Sequence, residues 1–494
     1  MNILVSRRSF LVGASAFSLS GCVGGRGGLL SGAPNLRFGV VSDIHITGWE
    51  STEIFRKTLR WYRDQGVDAV MIVGDIADHG IMPQLENVSK SWYEVFPDDR
   101  APDGRRVEKL FVYGNHDIEG LGYNGKWNNA AFKTHGITKE QAKELELRAI
   151  GLDKAWDQCF HEPYSPIYRK TVKGYDFVGG HWDKWSGIDA LEDWFKANAA
   201  KIDTGRPFFY FQHPHPKDTV YGPWAWGHDD GQSTRALAPY ANAVAFSGHS
   251  HTSLTDERSV WRGSFTSIGT SSLSYTCLGG PRENANGASW LGKRQMESLN
   301  TIARAGVRGD EGGVPVRQGQ LVDVFSDRLV ICRRDFVRDE DLDEAWVLEM
   351  PTKENPFSAR AARSAAPAFA AGTEAAVSFG HGTDRGGKEA DQVSVSFPQA
   401  VAEKSTRPFD YELTLEARES DVEAVVKTFR FYSPTVKFAK HRDAEEPATF
   451  VLARSELPQK AEFRFAVRPL NSYGSKGAPI FSKWMHAPKP PKKA

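Results

Sequence analysis

Five short apolar runs, each followed by a polar residue that can bind a metal, constrain this chain more than any other feature. The runs cover residues 36–41, 69–73, 109–113, 208–211 and 243–246, and the polar residues that follow them are Asp43, Asp75, Asn115, His213 and His249. In layered α/β folds, ligands gather at the carboxyl ends of the strands. We therefore expect the five ends to converge, and the pattern predicts a site at one edge of a sheet.

The segments between these runs have the periodicity of helices and of further strands. Phe55, Leu59 and Tyr62 stand at i, i+4 and i+7, which predicts one buried face of a helix. The insertion between the third and fourth runs is predicted to be helical around 139–147 and strand-like around 167–178. Residues 261–274 and 320–333 are predicted to add strands. This alternation favours the α/β class.

Length and charge limit the number of domains and the kind of partner. The chain has 494 residues, which favours two or three folded units, and 40% of them are hydrophobic, which excludes general disorder. Lysine plus arginine equals aspartate plus glutamate at 62 each. This balance gives no electrostatic reason to expect a nucleic acid partner, whereas a small phosphorylated substrate needs only local positive charge.

The first residues have the features of an export signal. Ser6-Arg7-Arg8-Ser9-Phe10-Leu11 resembles the twin-arginine signature, and Leu19-Ser20-Gly21-Cys22 resembles a bacterial lipobox, whose cysteine is acylated. The apolar run between them is shorter than the ~20 residues that a spanning helix needs. We predict a signal peptide over 1–22, lipidation of Cys22 and a flexible tether over 23–34. The protein is then expected in the bacterial cell envelope, anchored to a membrane in the periplasm or at the outer surface.

The C-terminal part differs from the first part in composition and in its hydrophobic pattern. Residues 351–375 include an alanine-dominated stretch that predicts a linker. Period-two alternation after it predicts a small all-β sandwich over 376–486. The segment 463–474 resembles the last hairpin of a fibronectin type III domain. The Lys/Pro-rich residues 487–494 are predicted to form a disordered tail.

Cysteine usage leaves the redox state open. After Cys22, the chain contains Cys159, Cys277 and Cys332, an odd number with wide spacing. This arrangement predicts neither a disulfide framework nor a zinc finger. One bridge in an oxidising compartment and three buried thiols both remain compatible with it.

Taken in order, the polar motifs resemble those of the calcineurin-like metallophosphoesterase family. They are Asp43-x-His45, Gly74-Asp75, Gly114-Asn115-His116-Asp117, His213 and Gly248-His249-Ser250-His251. The resemblance covers about residues 35–277. It implies a four-layer α/β/β/α sandwich, which we place at 35–350, and a centre of two metal ions that hydrolyses a phosphomonoester or a phosphodiester. Carboxylate oxygen and imidazole nitrogen suit Mn, Fe or Zn.

The resemblance also implies a role for each motif residue. Asp43, His45 and His251 would hold the first metal, Asn115, His213 and His249 the second, and Asp75 would bridge both. His116 would contact phosphate and protonate the leaving group, and Asp117 would orient the His116 imidazole. The reaction implied is an in-line attack by a metal-bridging hydroxide.

Several residues near the motifs have less certain roles. His213 directly follows its strand and is favoured as the ligand over His215, which would lie behind the ligands or meet substrate. Trp224 and Trp226 either stack on the substrate or pack a rigid loop. His181 also follows a predicted strand and is a weaker candidate for substrate contact.

Three other functions are alternatives to that of a phosphoesterase acting on small substrates. A nuclease would be expected to carry a basic groove, which the neutral charge balance does not favour. A hydrolase of phospholipid headgroups would use the same centre. A surface binding lipoprotein with a vestigial phosphoesterase fold would be expected to have lost some of the metal-ligand residues. All of the expected ligand residues are present in this sequence.

Overall fold

The computed structural model describes residues 32–125, 133–221, 227–276, 310–311, 314–342, 344–353, 365–383, 389–401, 408–433 and 447–488. Its α-helices are α1 (Thr52–Asp64), α2 (Met82–Val95), α3 (Asn115–Glu119), α4 (Lys139–Glu144), α5 (Leu147–Ile150), α6 (Leu152–Phe160), α7 (Leu191–Asn198) and α8 (Gln232–Leu237). The strands of the first part of the chain are β1 (Leu36–Val41), β2 (Ala69–Val73), β3 (Glu108–Val112), β4 (Ile167–Val172), β5 (Tyr175–Gly180), β6 (Phe208–Gln212), β7 (Ala243–Ser247), β8 (Val260–Arg262) and β9 (Thr266–Gly269).

The remaining strands are β10 (Asp310–Glu311), β11 (Val314–Pro315), β12 (Gln318–Val324), β13 (Arg328–Asp335), β14 (Glu340–Asp341), β15 (Trp346–Glu349), β16 (Ala376–Thr383), β17 (Glu389–Phe397), β18 (Asp410–Glu419), β19 (Val422–Tyr432), β20 (Ala448–Ala453), β21 (Glu462–Leu470) and β22 (Ile480–Phe481). The short β10 and β11 pair only with each other.

Two mixed sheets form the centre of the first domain. One has the order β14-β13-β12-β1-β2-β3, with β15 also paired to β13, and the other has the order β4-β5-β6-β7-β9-β8. Strands β1, β2 and β3 are parallel, and so are β5, β6, β7 and β9. Because parallel strands end at the same edge, the polar residues that follow them are brought to one side of the domain.

The two sheets pack face to face and are covered by helices. Phe38 of β1 lies edge-on to Phe177, Phe209 and Phe246 of the opposite sheet, at centroid distances of 5.3, 5.0 and 5.8 Å. Helices α1, α2 and α6 cover the outer face of the first sheet, and α7 and α8 cover the second. The predicted four-layer α/β/β/α architecture is confirmed.

The face predicted for α1 is buried, but the insertion differs from its prediction. Helix α4 ends at Glu144 and α5 begins at Leu147, because Leu145 O accepts from Met82 N and Leu147 N donates to Gly80 O. These tertiary hydrogen bonds interrupt the helix expected over 139–147. The segment expected to be one strand over 167–178 is the hairpin β4–β5.

The C-terminal domain is an antiparallel sandwich. A three-stranded sheet, β16-β17-β20, faces a four-stranded sheet, β19-β18-β21-β22, and Val395, Leu413 and Phe465 lie in the core between them. The prediction of an added all-β domain is therefore confirmed. The fibronectin type III resemblance stays a prediction.

Several sequence predictions fall on residues that the structure does not describe. They are Cys22, Trp224, Trp226, Cys277, the signal peptide and most of the tether and tail. Within the described residues, no helix combines the length and the apolar character needed to cross a bilayer. Cys159 is a buried free thiol, whereas Cys332 is disulfide-bonded.

Candidate metal centre

The loops that follow the parallel strands are joined by backbone hydrogen bonds. Asp43 N donates to Gly74 O at 3.1 Å and His45 N donates to Asp75 O at 3.0 Å, so the loops after β1 and β2 run side by side. Gly248 N donates to His213 O at 3.0 Å, which joins the loops after β6 and β7. The convergence expected from the sequence is therefore present in the fold.

One group of ligand atoms comprises Asp43, His45, Asp75 and His251, all of them buried. Asp43 Oδ1 lies 2.9 Å from His251 Nε2, and His45 Nε2 lies 3.3 Å from His251 Nε2. Ligand atoms that each bind one cation at ~2.1 Å stand about 3.0–3.4 Å apart in octahedral or tetrahedral geometry. These two distances are close to that requirement, whereas Asp43 Oδ1 lies 3.9 Å from His45 Nε2.

A second group comprises Asp75, His213 and His249. Asp75 Oδ2 lies 3.0 Å from His213 Nε2 and 3.7 Å from His45 Nε2, so one carboxylate oxygen faces both groups. The other oxygen of Asp75 accepts from His116 N at 3.0 Å, which fixes the plane of the carboxylate. Asp75 therefore belongs to both groups of ligand atoms.

Three ligand histidines are fixed by acceptors behind them. Nδ1 of His213 lies 2.8 Å from Val73 O, Nδ1 of His251 lies 2.8 Å from Tyr275 O, and Nδ1 of His45 lies 3.0 Å from Asp78 Oδ1. An acceptor at Nδ1 places the ring proton there and leaves the lone pair on Nε2. In each case Nε2 is the atom that faces the site.

Asn115 completes the set predicted for the second ion. It is fully buried on α3, and neither its Oδ1 nor its Nδ2 has a hydrogen-bond partner among the described residues. Leaving such an amide without partners costs about 1–3 kcal/mol, so an external partner is expected. A cation at Oδ1 would supply it.

The charges of the site favour a cation. Although burial opposes ionisation, His251 and His213 lower the pKa of Asp43 to about 2. Burial disfavours the charged imidazole too, yet Asp75 and Asp43 raise the pKa of His213 to about 9. Burial lowers the pKa of His249 to about 3. Two ionised carboxylates thus face imidazoles, and a divalent ion would compete with the protons for the same positions.

The ligand loops adopt an uncommon backbone conformation. Five ligand residues have positive φ, between 45° and 69°: Asp43, His45, Asp75, His249 and His251. Residues other than glycine rarely occupy this region, and at functional sites the surrounding structure holds them there. The hydrogen bonds between the loops supply that restraint.

Two motif glycines are required by close packing around the ligands. Gly74 has φ +85°, and a Cβ on it would overlap the His213 ring. A Cβ on Gly114 would overlap the carboxylate and backbone nitrogen of Asp75. These glycines let the loops after β2 and β3 approach the ligands.

The structure gives Asp117 different partners from those predicted. Its carboxylate accepts hydrogen bonds from Gly114 N at 2.7 Å, Ala77 N at 2.6 Å and Ile76 N at 3.1 Å. The His116 imidazole instead places Nδ1 2.8 Å from the backbone oxygen of Asp78. Burial and the neighbouring Asp75 raise the pKa of Asp117 to about 7. Asp117 thus joins the loops after β2 and β3. The group that orients the His116 ring is a backbone carbonyl and not, as predicted, the carboxylate of Asp117.

Both of the uncertain histidines are buried. His215 is buried, with Nδ1 2.7 Å from Ser247 Oγ and Nε2 2.8 Å from Ser250 Oγ, so neither nitrogen is left for substrate. The predicted substrate role of His215 is corrected to support of the loop that carries His249 and His251. His181 accepts from Tyr113 N through Nδ1 and is enclosed by aromatic rings.

Sequence reasoning missed several residues of the site. Asp78 holds the ring of His45 and also pairs with His79, and its position three residues after Asp75 was an available signal. Tyr275 fixes His251 through its carbonyl oxygen, which no side-chain pattern reveals. A third group of ligand atoms, His45, Asp78 and His116, overlaps this support rather than forming a separate centre.

Several known proteins are similar to this chain. A family model described as calcineurin-like phosphoesterase matches residues 36–253. The chain is similar in structure to a dimetal phosphatase from Danio rerio, at 12% identity and TM-score 0.34, with 64% of this chain and 99% of that chain covered. It is also similar to GAP50, the anchor in the inner membrane complex of Plasmodium, at 12% identity and TM-score 0.35, with 65% and 90% covered.

A third similar structure is Vps29 complexed with zinc from Entamoeba histolytica, at 10% identity and TM-score 0.24, with 64% of this chain and 99% of that chain covered. The comparison with curated proteins found no match. Such low identities and TM-scores add nothing about activity, so the family assignment rests on the matched segment and its motifs. Residues 36–253 of this chain thus match the calcineurin-like phosphoesterase family model.

Proposed function

We propose that this protein is a metal-dependent hydrolase of phosphate esters with a centre for two ions. Asp43, His45 and His251 would hold one ion, and Asn115, His213 and His249 the other. The observation that carries the proposal is the position of Asp75, whose Oδ2 faces a histidine of each set, at 3.0 and 3.7 Å. A single structural ion would not require a carboxylate shared in this way.

When bound, two divalent cations would polarise the phosphoryl oxygens and activate water for attack on phosphorus. The chain contributes buried ligands whose orientation is fixed before substrate arrives, which reduces the reorganisation needed in the transition state. Both carboxylates, Asp43 and Asp75, lie in the interior, where charges act strongly because water is excluded.

His116 has the position expected of a group that meets the ester. Its ring centroid lies 4.5 Å from that of His45, and its side chain is partly exposed, unlike the buried ligands. Nδ1 is engaged by Asp78 O, so Nε2 is the nitrogen that remains for substrate. We infer that His116 binds a phosphoryl oxygen and donates a proton to the leaving oxygen.

The experiment uses the full-length chain, stripped of metal with a chelator and reloaded with Mn²⁺, Zn²⁺ or Fe²⁺. Turnover of 4-nitrophenyl phosphate and of bis(4-nitrophenyl) phosphate separates monoesterase from diesterase activity. Asp75→Asn is expected to lower turnover by ~10³-fold and to reduce the metal content per chain. Full activity of the stripped protein, or of Asp75→Asn, would contradict the proposal.

The matched control is Asp176→Asn. Asp176 is also a buried, hydrogen-bonded aspartate, but it lies at the amino end of β5, away from the edge that carries the ligands. It should retain metal and turnover. A wild-type protein with neither metal nor turnover would favour the alternative of a surface binding lipoprotein with a vestigial site.

We further propose that the protein is exported by the twin-arginine route and anchored through lipid on Cys22. The disulfide at Cys332 supports an oxidising compartment, because such bonds are rare in the cytoplasm. Replacing Arg7 and Arg8 with lysine should leave the protein in the cytoplasm on cell fractionation. Cys22→Ser should be exported but released from the membrane, and unchanged partitioning of both variants would refute the anchor.

A further inference from the structure

A series of aromatic rings lines one side of the candidate metal centre. Tyr123 lies against His116, with centroids 4.2 Å apart and planes 34° apart. Trp185 lies over His249 at 5.3 Å. The centroids of the Tyr123 and Trp185 rings lie 6.3 Å apart, and their planes are 30° apart. The two rings therefore extend from His116, which is expected to meet the leaving group, to His249, a candidate ligand of the second ion.

Trp185 is exposed yet firmly held. It is 46% exposed, an unusual position for a large apolar ring. It lies in a tight turn closed by the hydrogen bond from Gly187 N to Lys184 O, and Ser186 O accepts from Asp230 N. The edge of its ring packs against Trp182 at 5.2 Å. A ring fixed in this way loses little entropy on binding, which favours its use as a contact surface.

The relative orientation of the rings favours a flat ligand over a cation. A cage for a quaternary ammonium needs accessible faces at steep angles to one another. Trp182 is perpendicular to Trp185, at 89°, but is only 5% exposed. Trp185 is the exposed ring of the three, and its plane lies 30° from that of Tyr123, which suits offset stacking of a planar ring on Trp185.

We propose that the exposed face of Trp185, beside Tyr123, binds a planar aromatic ring in the leaving group of the phosphate ester. This inference rests on the proposed function and specifies its substrate class. Because Tyr123 is in direct contact with His116, the ring lies close to the ester oxygen. Such a ring is supplied either by an aryl ester or by the base of a nucleotide. Trp185 is then a residue that determines specificity rather than one that performs the chemistry.

The test compares three monoesters by release of inorganic phosphate: phenyl phosphate, adenosine 5′-monophosphate and glycerol 1-phosphate. Trp185→Ala should raise KM about 10-fold for a ring-bearing ester and leave glycerol 1-phosphate unchanged. Trp185→Phe should retain most of the preference. The ester whose KM responds identifies the source of the ring. Equal changes for all three esters, or no change for any, would overturn the proposal.

A binding measurement separates this inference from the proposed function. Calorimetry on the metal-loaded protein compares phenylphosphonate with methylphosphonate, neither of which is a phosphate ester. Wild type should bind phenylphosphonate about 10-fold more tightly, and Trp185→Ala should lose that preference. The control is Phe481→Ala, which removes an exposed ring of the C-terminal domain and should change nothing. Equal affinities in wild type would overturn the stacking proposal even if esters are hydrolysed, whereas a retained preference without hydrolysis would refute only the proposed function.

Discussion

The candidate metal centre and a hairpin turn of the C-terminal sandwich use the same uncommon backbone conformation for different reasons. In the C-terminal sandwich, Ser420 and Asp421 have φ of 50° and 65° at the exposed turn between β18 and β19. Two consecutive positive φ values are what a tight two-residue hairpin turn requires. In the phosphoesterase domain, five buried metal-ligand candidates have φ between 45° and 69° without forming such hairpins. There the conformation directs the side chains toward the candidate metal centre.

The domains also treat buried polar groups differently. The sandwich core is built from alternating apolar side chains such as Val393, Val395, Leu413 and Leu415. The edge of the phosphoesterase domain instead buries carboxylates, imidazoles and an amide whose atoms have no hydrogen-bond partner among the described residues. At the candidate metal centre, strained backbone and unpaired polar atoms occur together, and each costs free energy that the surrounding structure must offset.

The sharpest test of this contrast changes one glycine in each domain. Gly114→Ala should lower phosphoesterase turnover about 100–1,000-fold, because a Cβ would displace the Asp75 carboxylate. Gly380→Ala, on β16, should have no effect, because the added Cβ would meet no atom within 4 Å. Steady-state kinetics and metal content measure both, and normal turnover in Gly114→Ala would contradict the role given to that glycine.

A core change in the sandwich should affect stability but not catalysis. Leu413→Ala removes a fully buried side chain and should lower the free energy of unfolding of that domain by about 2–5 kcal/mol. Under native conditions kcat should stay unchanged. Urea unfolding, with Thr414→Ala on the opposite face of β18 as the control, measures the effect. A loss of kcat in folded Leu413→Ala would show that the two domains are more strongly coupled than the contrast implies.

A change behind the ligands should weaken metal binding without removing a ligand. Asp78→Asn leaves His45 in place but weakens the acceptor that holds its Nδ1. Metal affinity or turnover should fall about 10–100-fold, as is usual for such supporting groups. Titration of the stripped protein with Zn²⁺ measures the affinity, and Asp176→Asn again serves as the control. An unchanged metal affinity would show that Asp78 does not support the metal site.

The smallest effect is expected where the two domains touch. Tyr473 Oη donates to Glu257 O across the junction at 3.2 Å, and the Arg258 guanidinium lies 5.1 Å from the Phe409 ring. Tyr473→Phe should cost about 0.5–1.5 kcal/mol and separate the unfolding transitions of the two domains in calorimetry. Tyr411→Phe loses a comparable bond to Ala400 N inside the sandwich and should not separate them. Identical behaviour of both variants would contradict coupling through Tyr473.

The sequence by itself determined the fold class and the set of candidate ligands. Apolar runs ending in Asp43, Asp75, Asn115, His213 and His249 are local patterns, and the geometry of parallel strands brings their ends together within each of the two sheets. Buried alternation in the second domain is equally local. For these features, neighbouring residues carry all the information that is needed.

Only the tertiary structure decided the partners behind the ligands. Asp117 was expected to orient His116, but its carboxylate accepts hydrogen bonds from two N–H groups of the loop after β2 and from Gly114 N of its own loop. Ser247 and Ser250, which hydrogen-bond to His215, are also distant from it in sequence, and so is Tyr123 from Trp185. Hydrogen bonds and ring contacts across such separations depend on the ångström-scale packing of loops, which no local periodicity encodes.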